Sequence, residues 1–459
     1  MKNMKTENPF DLTVLGGGLA GSEAAWQAAS RGLKVRLFEM RPEKTTGAHK
    51  TGHLAELVCS NSLGSALPDR ATGLLKEELK RMNSLLARAA EKTSLPAGNA
   101  LAVDRDLFAQ EVETTLENHS NIHIIREEAL AIPQDGPVIV ATGPLTSERL
   151  SADIRAHTGE ENLFFFDAIA PIITLDSINF EIAYRASRYG RGTSEEGDYI
   201  NCPFTKDEYY AFVEALRGAE RIELQGFESG IEQGVSAGKD SFFEGCLPVE
   251  VLAGRDPNAL AFGPMRPVGL IDPRSGKRPF AVLQLRQDNL AGDLYNLVGF
   301  QTNLLYKEQE RILRLIPGLE NAQFVRFGQM HRNTYISAPG LINRDLQLIS
   351  RPEVFFAGQL SGVEGYMGNI GTGLAAGMNA AALIRNEPLF EFPAETMLGS
   401  LLNYIAHAEQ KHFQPMKANF GILPPLENPP RTKQDRAKEY ARRSLERLDE
   451  ALAGRGNTN

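Results

Sequence analysis

A chain of 459 residues is long enough to bury more than one core, and 42% hydrophobic with 23% charged residues is the balance of a globular enzyme. Three cysteines exclude a disulfide framework, and no stretch nears the ~18 apolar residues of a membrane span. A net charge of −9, taken alone, argues against nucleic-acid binding, although Arg431 to Arg447 holds seven basic residues against three acidic ones.

The first ten residues hold no apolar core of signal-peptide length, which with the reduced thiols predicts a cytoplasmic protein. Asp11 to Leu15 reads as a short buried strand, and Gly16-Gly17-Gly18-Leu19-Ala20-Gly21 follows it. An Ala-rich helix runs from Ser22 to about Arg31, capped by Gly32, and Leu33 to Phe38 is a second strand closed by Glu39. This is a dinucleotide-binding unit with G-x-G-x-x-G at Gly16, Gly18 and Gly21. The first glycine permits the tight turn, the second lets a pyrophosphate reach the backbone, and the third lets helix and strand pack closely. The helix N-terminus then offers unpaired N–H groups to phosphate, and Glu39 can accept from ribose hydroxyls.

Cys59 lies among small polar residues in E-L-V-C-S-N-S-L-G, about twenty positions past Glu39, so its thiol is expected near the cofactor. His49 and His53 are four apart, but no third ligand or H-E-x-x-H pattern accompanies them, and no metal site is expected. Leu75, Leu79, Met82, Leu86 and Ala89 form one helical stripe across Gly73–Lys92. Val138 to Gly143 is a buried strand ending in A-T-G, an ending that suits backbone delivered to a flavin.

The region from Asn162 to Phe324 is irregular and rich in Pro and Gly. Within it, Thr205 and Glu208 form a capping box for a helix to about Arg217, Cys202 reads as a buried structural residue, and Cys246 sits in F-F-E-G-C-L-P-V-E. Val354 to Gly358 returns as a buried strand, followed by Gly365, Gly368, Gly371, Gly373 and Gly377 and a small-residue helix to about Arg385. Two glycine-dense elements at opposite ends of the chain predict an α/β fold: a Rossmann-like, two-dinucleotide-fold FAD-binding domain. It comprises residues 1–161 and 325–459 and is interrupted by an α+β insertion domain at 162–324.

These residues resemble the folate- and FAD-dependent tRNA uracil-5-methyltransferases along nearly the whole chain. The shared strings include V-L-G-G-G-L-A-G-S-E-A-A from Val14, A-E-L-V-C-S-N-S-L from Ala55, P-A-G-N-A-L-A-V-D-R from Pro96 and F-F-E-G-C-L-P-V-E from Phe242. F-G-P-M-R-P-V-G-L from Phe262, M-H-R-N-T from Met330 and F-F-A-G-Q-L-S-G-V-E-G-Y from Phe355 belong to the same set. One segment departs: where the family reads approximately V-E-S-A-A-S-G, this chain has M-G-N-I-G-T-G, with Gly368 at the acidic position.

The resemblance implies methylation of uracil C5 in the T-loop of tRNA, with 5,10-methylenetetrahydrofolate as carbon donor and NADH or NADPH as reductant. Uracil C5 is a poor nucleophile until a thiolate adds to C6, and a base must then remove the C5 proton. Cys246 is implied as the thiol that attacks C6 or guards the one-carbon unit, and Cys59 as the second, acid–base thiol; the two roles are exchangeable. Implied FAD contacts are Gly16, Gly17, Gly18, Leu19, Ala20, Gly21, Glu39, Arg41, Gly143, Gly358, Gln359, Gly365 and Tyr366. His331, Arg332 and Asn333 are implied in folate binding, where an imidazole can cover the flat pterin. Arg442 and Arg443, in the basic stretch, are the expected tRNA contacts. No metal and no membrane partner are expected, and the oligomeric state stays open. A related flavoprotein acting on another uridine, in rRNA or at the tRNA wobble position, is the alternative, with an NAD(P)H-dependent flavin oxidoreductase lacking an RNA substrate behind it.

Overall fold

The apolar run before the glycine turn forms β1 (Leu12–Leu15), and the run after the first helix (Leu19–Ala29) forms β2 (Val35–Phe38). A computed structural model provides the three-dimensional description and covers residues 9–159, 163–222 and 247–456. The first helix starts three residues earlier than its Ala-rich pattern suggests, because Gly18 is its N-cap; Gly32 takes φ +84° just beyond its end. A small antiparallel sheet follows, with order β3 (Ser62–Ser65), β5 (Ala100–Val103), β4 (Ser94–Leu95). The stripe across 73–92 is two helices, Ala71–Arg81 and Leu85–Lys92, and not one. Asn83 at φ +60° breaks it, and Ser84 caps the second piece by accepting from the Ala87 N–H. The buried Glu23 carboxylate reinforces that start, accepting from Ser84 Oγ at 2.8 Å and from the Leu86 N–H at 3.0 Å.

After the helix Arg105–Glu117, β6 (Ile122–Ile125) and β7 (Val138–Val140) join the first sheet. The chain then enters the irregular region through the helix Glu148–Thr158 and β8 (Leu163–Ala168). A second sheet is built there from β9 (Ile172–Thr174), β10 (Tyr184–Arg185), β11 (Tyr199–Phe204), β12 (Ala281–Gln287), β13 (Leu294–Leu297) and β14 (Phe324–Arg326). Its order is β10-β11-β12-β13-β9-β14, antiparallel throughout. The helix Lys206–Arg217 carries the complete Thr205–Glu208 capping box and packs on this sheet with Val249–Arg255. Cys202, on β11, is fully buried in the second core, and burial pushes its thiol pKa up.

The chain returns through β15 (Met330–Tyr335), which pairs with β8 in an antiparallel ladder. β16 (Gln347–Leu348) and β17 (Arg351–Phe356) then complete the first sheet in the order β16-β17-β7-β1-β2-β6. β17, β7, β1, β2 and β6 run parallel, and β1 and β7 are buried along their whole length, as expected for a parallel sheet covered on both faces. The glycine-rich helix Tyr366–Ile384 crosses the first helix at backbone contact distance. A Cβ at Gly373 would lie 2.2 Å from Ala20 O, and one at Gly377 2.5 Å from Ala24 O. Gly368 has no room for an acidic side chain, since its Cβ would already meet Val363 Cγ1 at 2.3 Å. The helices Met397–His407 and Lys433–Gly456 close the fold against Ala71–Arg81 through Glu78, which accepts from the N–H groups of Met397 and Leu398 and from Ser444 Oγ. Among the described residues, no helix is long and apolar enough to cross a membrane.

Candidate active site

The three motif glycines answer to different constraints. Gly16 turns at φ +96°, and a Cβ there would lie 2.6 Å from Thr142 Cα on the strand-end after β7. A Cβ on Gly21 would lie 1.8 Å from Gly16 O, so its absence lets the helix sit on its own turn. Gly18 has φ −73° and nothing within 4 Å of its Cβ position; no protein atom demands a glycine there. That open space belongs to a cavity of about 380 Å3 lined by Gly18, Leu19 and Ala20 from the turn, Gly143, and Gly358, Gln359, Gly365 and Tyr366 from the returning segment.

A narrower compartment adjoins the cavity, sharing Gly18, His49, Thr142 and Leu145 with it, and is lined by Gly16, Glu39 and Arg41. Glu39 Oε1 accepts from the Arg41 N–H at 3.0 Å and Arg41 Nε at 2.9 Å, and Oε2 accepts from the Gly17 N–H at 3.0 Å. One acceptor position on Oε2 is left for a ribose hydroxyl. Burial alone would raise this carboxyl's pKa, but the bonds and charge of Arg41 outweigh it and hold it below the usual range. Arg41 is itself buried and pairs with Glu56 at 3.1 Å.

Cys59 is half-buried in the cavity wall. Its N–H and that of Ser60 both donate to the Tyr366 phenol oxygen, at 2.9 and 3.1 Å, across about three hundred residues of sequence. Burial, with Cys59 beside it, raises the phenol's pKa, so Tyr366 stays protonated. Three arginines hold the same segment. Arg105 donates to Leu57 O at 3.1 Å and pairs with Asp288; Arg326 donates to Val58 O at 2.7 Å; Arg286 donates to Ser60 Oγ at 3.0 Å and Asn61 Oδ1 at 2.9 Å. Arg105 closes the shared string P-A-G-N-A-L-A-V-D-R, whereas Arg286 and Arg326 lie outside every such string. Arg286 had one detectable cue, a charge inside the otherwise apolar A-V-L-Q-L-R-Q of β12.

Asn333 is buried and lines the cavity. His331 and Arg332 have their backbone in β15, opposite Asp167 and Phe166, and their side chains lie outside the described residues, as does Cys246. Arg442 and Arg443 stand well away in sequence on the C-terminal helix, and both are already engaged. Arg442 pairs with Glu439 and Glu446, while Arg443 donates to Pro425 O at 2.9 Å and lies over the Tyr440 ring. The histidine pair separates: His49 bonds to Thr46 Oγ1 at 2.6 Å and His53 pairs with Glu113. Among the described residues no cluster of three metal-ligating side chains occurs.

The family model described as glucose inhibited division protein A matches residues 11–388. The methylenetetrahydrofolate–tRNA-(uracil-5-)-methyltransferase TrmFO of Pelotomaculum thermopropionicum is 53% identical over 438 residues, 95% of this chain and 97% of that protein. The TrmFO of Desulfitobacterium hafniense is 51% identical over 97% of this chain and 99% of its own length. The chain belongs to the TrmFO family. The solved structure of Aquifex aeolicus GidA superposes with a TM-score of 0.66 at 17% identity, covering 97% of this chain and 75% of that one, a likeness in fold. A TrmFO-family site should accept FAD, and the residues present fit it. The space at Gly18 is the one a pyrophosphate needs, Glu39 keeps an acceptor, and buried Asn296 Nδ2, in the cavity lining, has no hydrogen-bond partner among the described residues.

Proposed function

We propose that the chain methylates uracil C5 in tRNA, forming 5-methyluridine in the T-loop, with 5,10-methylenetetrahydrofolate as carbon donor and NADH or NADPH as reductant. The observation that carries this reading is the convergence of three distant segments on one cavity: the Gly16–Gly21 turn, the Cys59 loop, and the return from Gly358 to Tyr366. The family relationship supplies the reaction class. Bound along the glycine turn, FAD supplies the two electrons that convert a methylene unit to a methyl group.

The chain's own residues have three tasks. Gly18 and the N–H groups opening the first helix hold phosphate oxygens. Tyr366, Arg105 and Arg326 hold the backbone of Leu57–Ser60 and Arg286 holds the Ser60 and Asn61 side chains, so the Cys59 thiol is presented at a set place in the wall. One thiolate adds to uracil C6 and makes C5 nucleophilic. After the C5–carbon bond forms, a base takes the C5 proton and the sulfur–C6 bond breaks. Cys59 and Cys246 are assigned to these two roles, in either order. The deciding experiment incubates the protein with unmodified tRNA, methylenetetrahydrofolate and NADH or NADPH, and measures 5-methyluridine. Product carrying label from the methyl of S-adenosylmethionine would overturn the assignment of the donor, and absence of product from the complete mixture would overturn the reaction.

A further inference from the structure

A cavity of about 380 Å3 can take a single base but not a folded nucleic acid. A uridine held in an RNA loop must leave its stack to bring C6 to a thiol in that wall, so its neighbours remain outside and lose a stacking partner. The rim that meets them needs flat apolar faces and unpaired positive charge. One stretch of the surface has both. Phe262 is 81% exposed and Tyr189 63% exposed. The Arg191 guanidinium lies 5.7 Å from the Tyr189 ring centroid, and Arg191 and Arg266 are exposed and without a carboxylate partner among the described residues. Glu195 and Glu196, on the same loop as Arg191, are exposed and pair with neither.

This stretch is fastened to the cavity. Arg188 donates to Arg266 O at 2.6 Å, to Val268 O at 2.8 Å and to Gln284 Oε1 on β12 at 2.8 Å, so the 262–268 loop is tied to the strand that carries Arg286. Pro264 rests on Gly299, a cavity-lining residue whose Cβ would meet it at 2.7 Å. Tyr189 is held by its N–H on Gly269 O at 2.9 Å, with its ring over that glycine. The Tyr189 ring and the backbone that carries Phe262 and Arg266 are therefore held in place before a base arrives. The C-terminal helix offers a weaker case, because the charge of Arg442 is met by two glutamates.

We propose that Tyr189, Arg191, Phe262 and Arg266 form the surface that takes the looped nucleotides flanking the target uridine. The inference rests on the RNA-methylation reading and adds to it the face by which the RNA approaches. Aromatic stacking carries part of the contact and phosphate pairing the rest.

The test uses the full-length, FAD-loaded protein and unmodified tRNA. Tight binding is measured by filter retention across a salt series, and turnover by 5-methyluridine formation. Phe262→Ala should weaken tRNA binding by about 5- to 100-fold, the loss of one base stack. Arg191→Glu/Arg266→Glu should weaken binding at low salt and reduce the slope of log affinity against log salt by about 1.4, two single-strand phosphate contacts. Flavin content, NAD(P)H oxidation and melting temperature should match wild type in both. Arg431→Glu/Arg436→Glu, exposed on and before the C-terminal helix, serves as the charge-matched comparison and should leave the slope nearly unchanged. Folded rim variants with wild-type affinity, slope and KM would overturn the proposal, as would an equal loss in the comparison variant. A wild-type protein that loses tRNA affinity through the rim variants yet transfers no methyl group would instead overturn the chemistry and leave the rim standing.

Discussion

Replacing Gly18 and Gly21 separately should split cofactor binding from folding. The first glycine of the pair has an ordinary backbone conformation and open space at its Cβ, so the Cβ of Gly18→Val meets no protein atom within 4 Å. Its folding cost is that of a poorer N-cap, about 1 kcal/mol or less. The valine methyls do occupy the space next to the helix N-terminus. Displacing a pyrophosphate there loses one or two charge-assisted hydrogen bonds, about 3 kcal/mol, or about 100-fold in Kd for FAD. Gly21→Ala puts a carbon 1.8 Å from Gly16 O, where contacts under 3.0 Å force something to shift. The turn must open by more than 1 Å, and the cost is about 3 kcal/mol of folding stability. Flavin fluorescence titration of the apoprotein measures the first effect, and thermal melting of the apoprotein the second. If Gly18→Val binds FAD like wild type, or melts as early as Gly21→Ala, the division of labour among the glycines is wrong.

Tyr366→Phe removes the acceptor for two N–H groups and should lower kcat by about 10- to 100-fold with FAD retained; unchanged steady-state turnover would show that the Cys59 loop needs no such anchor. Cys59→Ala and Cys246→Ala should each abolish methylation with FAD still bound, whereas Cys202→Ala, in a filled core, should cost about 1 kcal/mol of stability and leave activity intact; tRNA methylation assays beside denaturant melts separate the three. Glu78 is fully buried, and burial lifts its carboxyl to about 7 despite three donors. Its folded state therefore holds a proton that the unfolded chain releases near pH 4.5, so this group's contribution falls as pH rises from 4.5 to 7 and is flat above, by a total of about 3 kcal/mol. Glu78→Gln should remove that part of the slope in melts between pH 5 and 8; an identical slope in the variant would refute the assignment.

Local pattern made the nucleotide platform legible. The strand before Gly16, the acid at Glu39 and the returning strand near Phe355 each announce themselves within a dozen residues, and they meet in one parallel sheet. The helical stripe over 73–92 misled because apolar periodicity continues through Asn83, while a left-handed residue and a serine cap restart the helix. The support of Cys59 was not legible. Its anchors lie some 50 to 300 residues away in sequence, on β12, β14 and two helices, and nothing in spacing relates an arginine in one sheet to a carbonyl in a loop of another. The basic run at the C-terminus was legible as charge density, but its spacing did not show that Arg442 is paired with Glu439 and Glu446 one turn away on either side.

The position of β17 bears on how this protein is made. By the time a ribosome has produced β7, four strands of the first sheet exist, yet β7 is an edge whose partner is more than two hundred residues from being synthesised. A hydrophobic edge of that kind is open to wrong pairings during translation. The helix that packs glycine-to-backbone on the first helix is made later still, and Gly358 and Tyr366 with it. The second sheet, by contrast, draws its strands from one continuous interval and can close before the return begins. The cofactor thus cannot meet a finished cradle on a nascent chain. Loading it is a late event that follows the middle of the protein, and a truncated chain ending before Val354 should carry a folded middle sheet and no flavin.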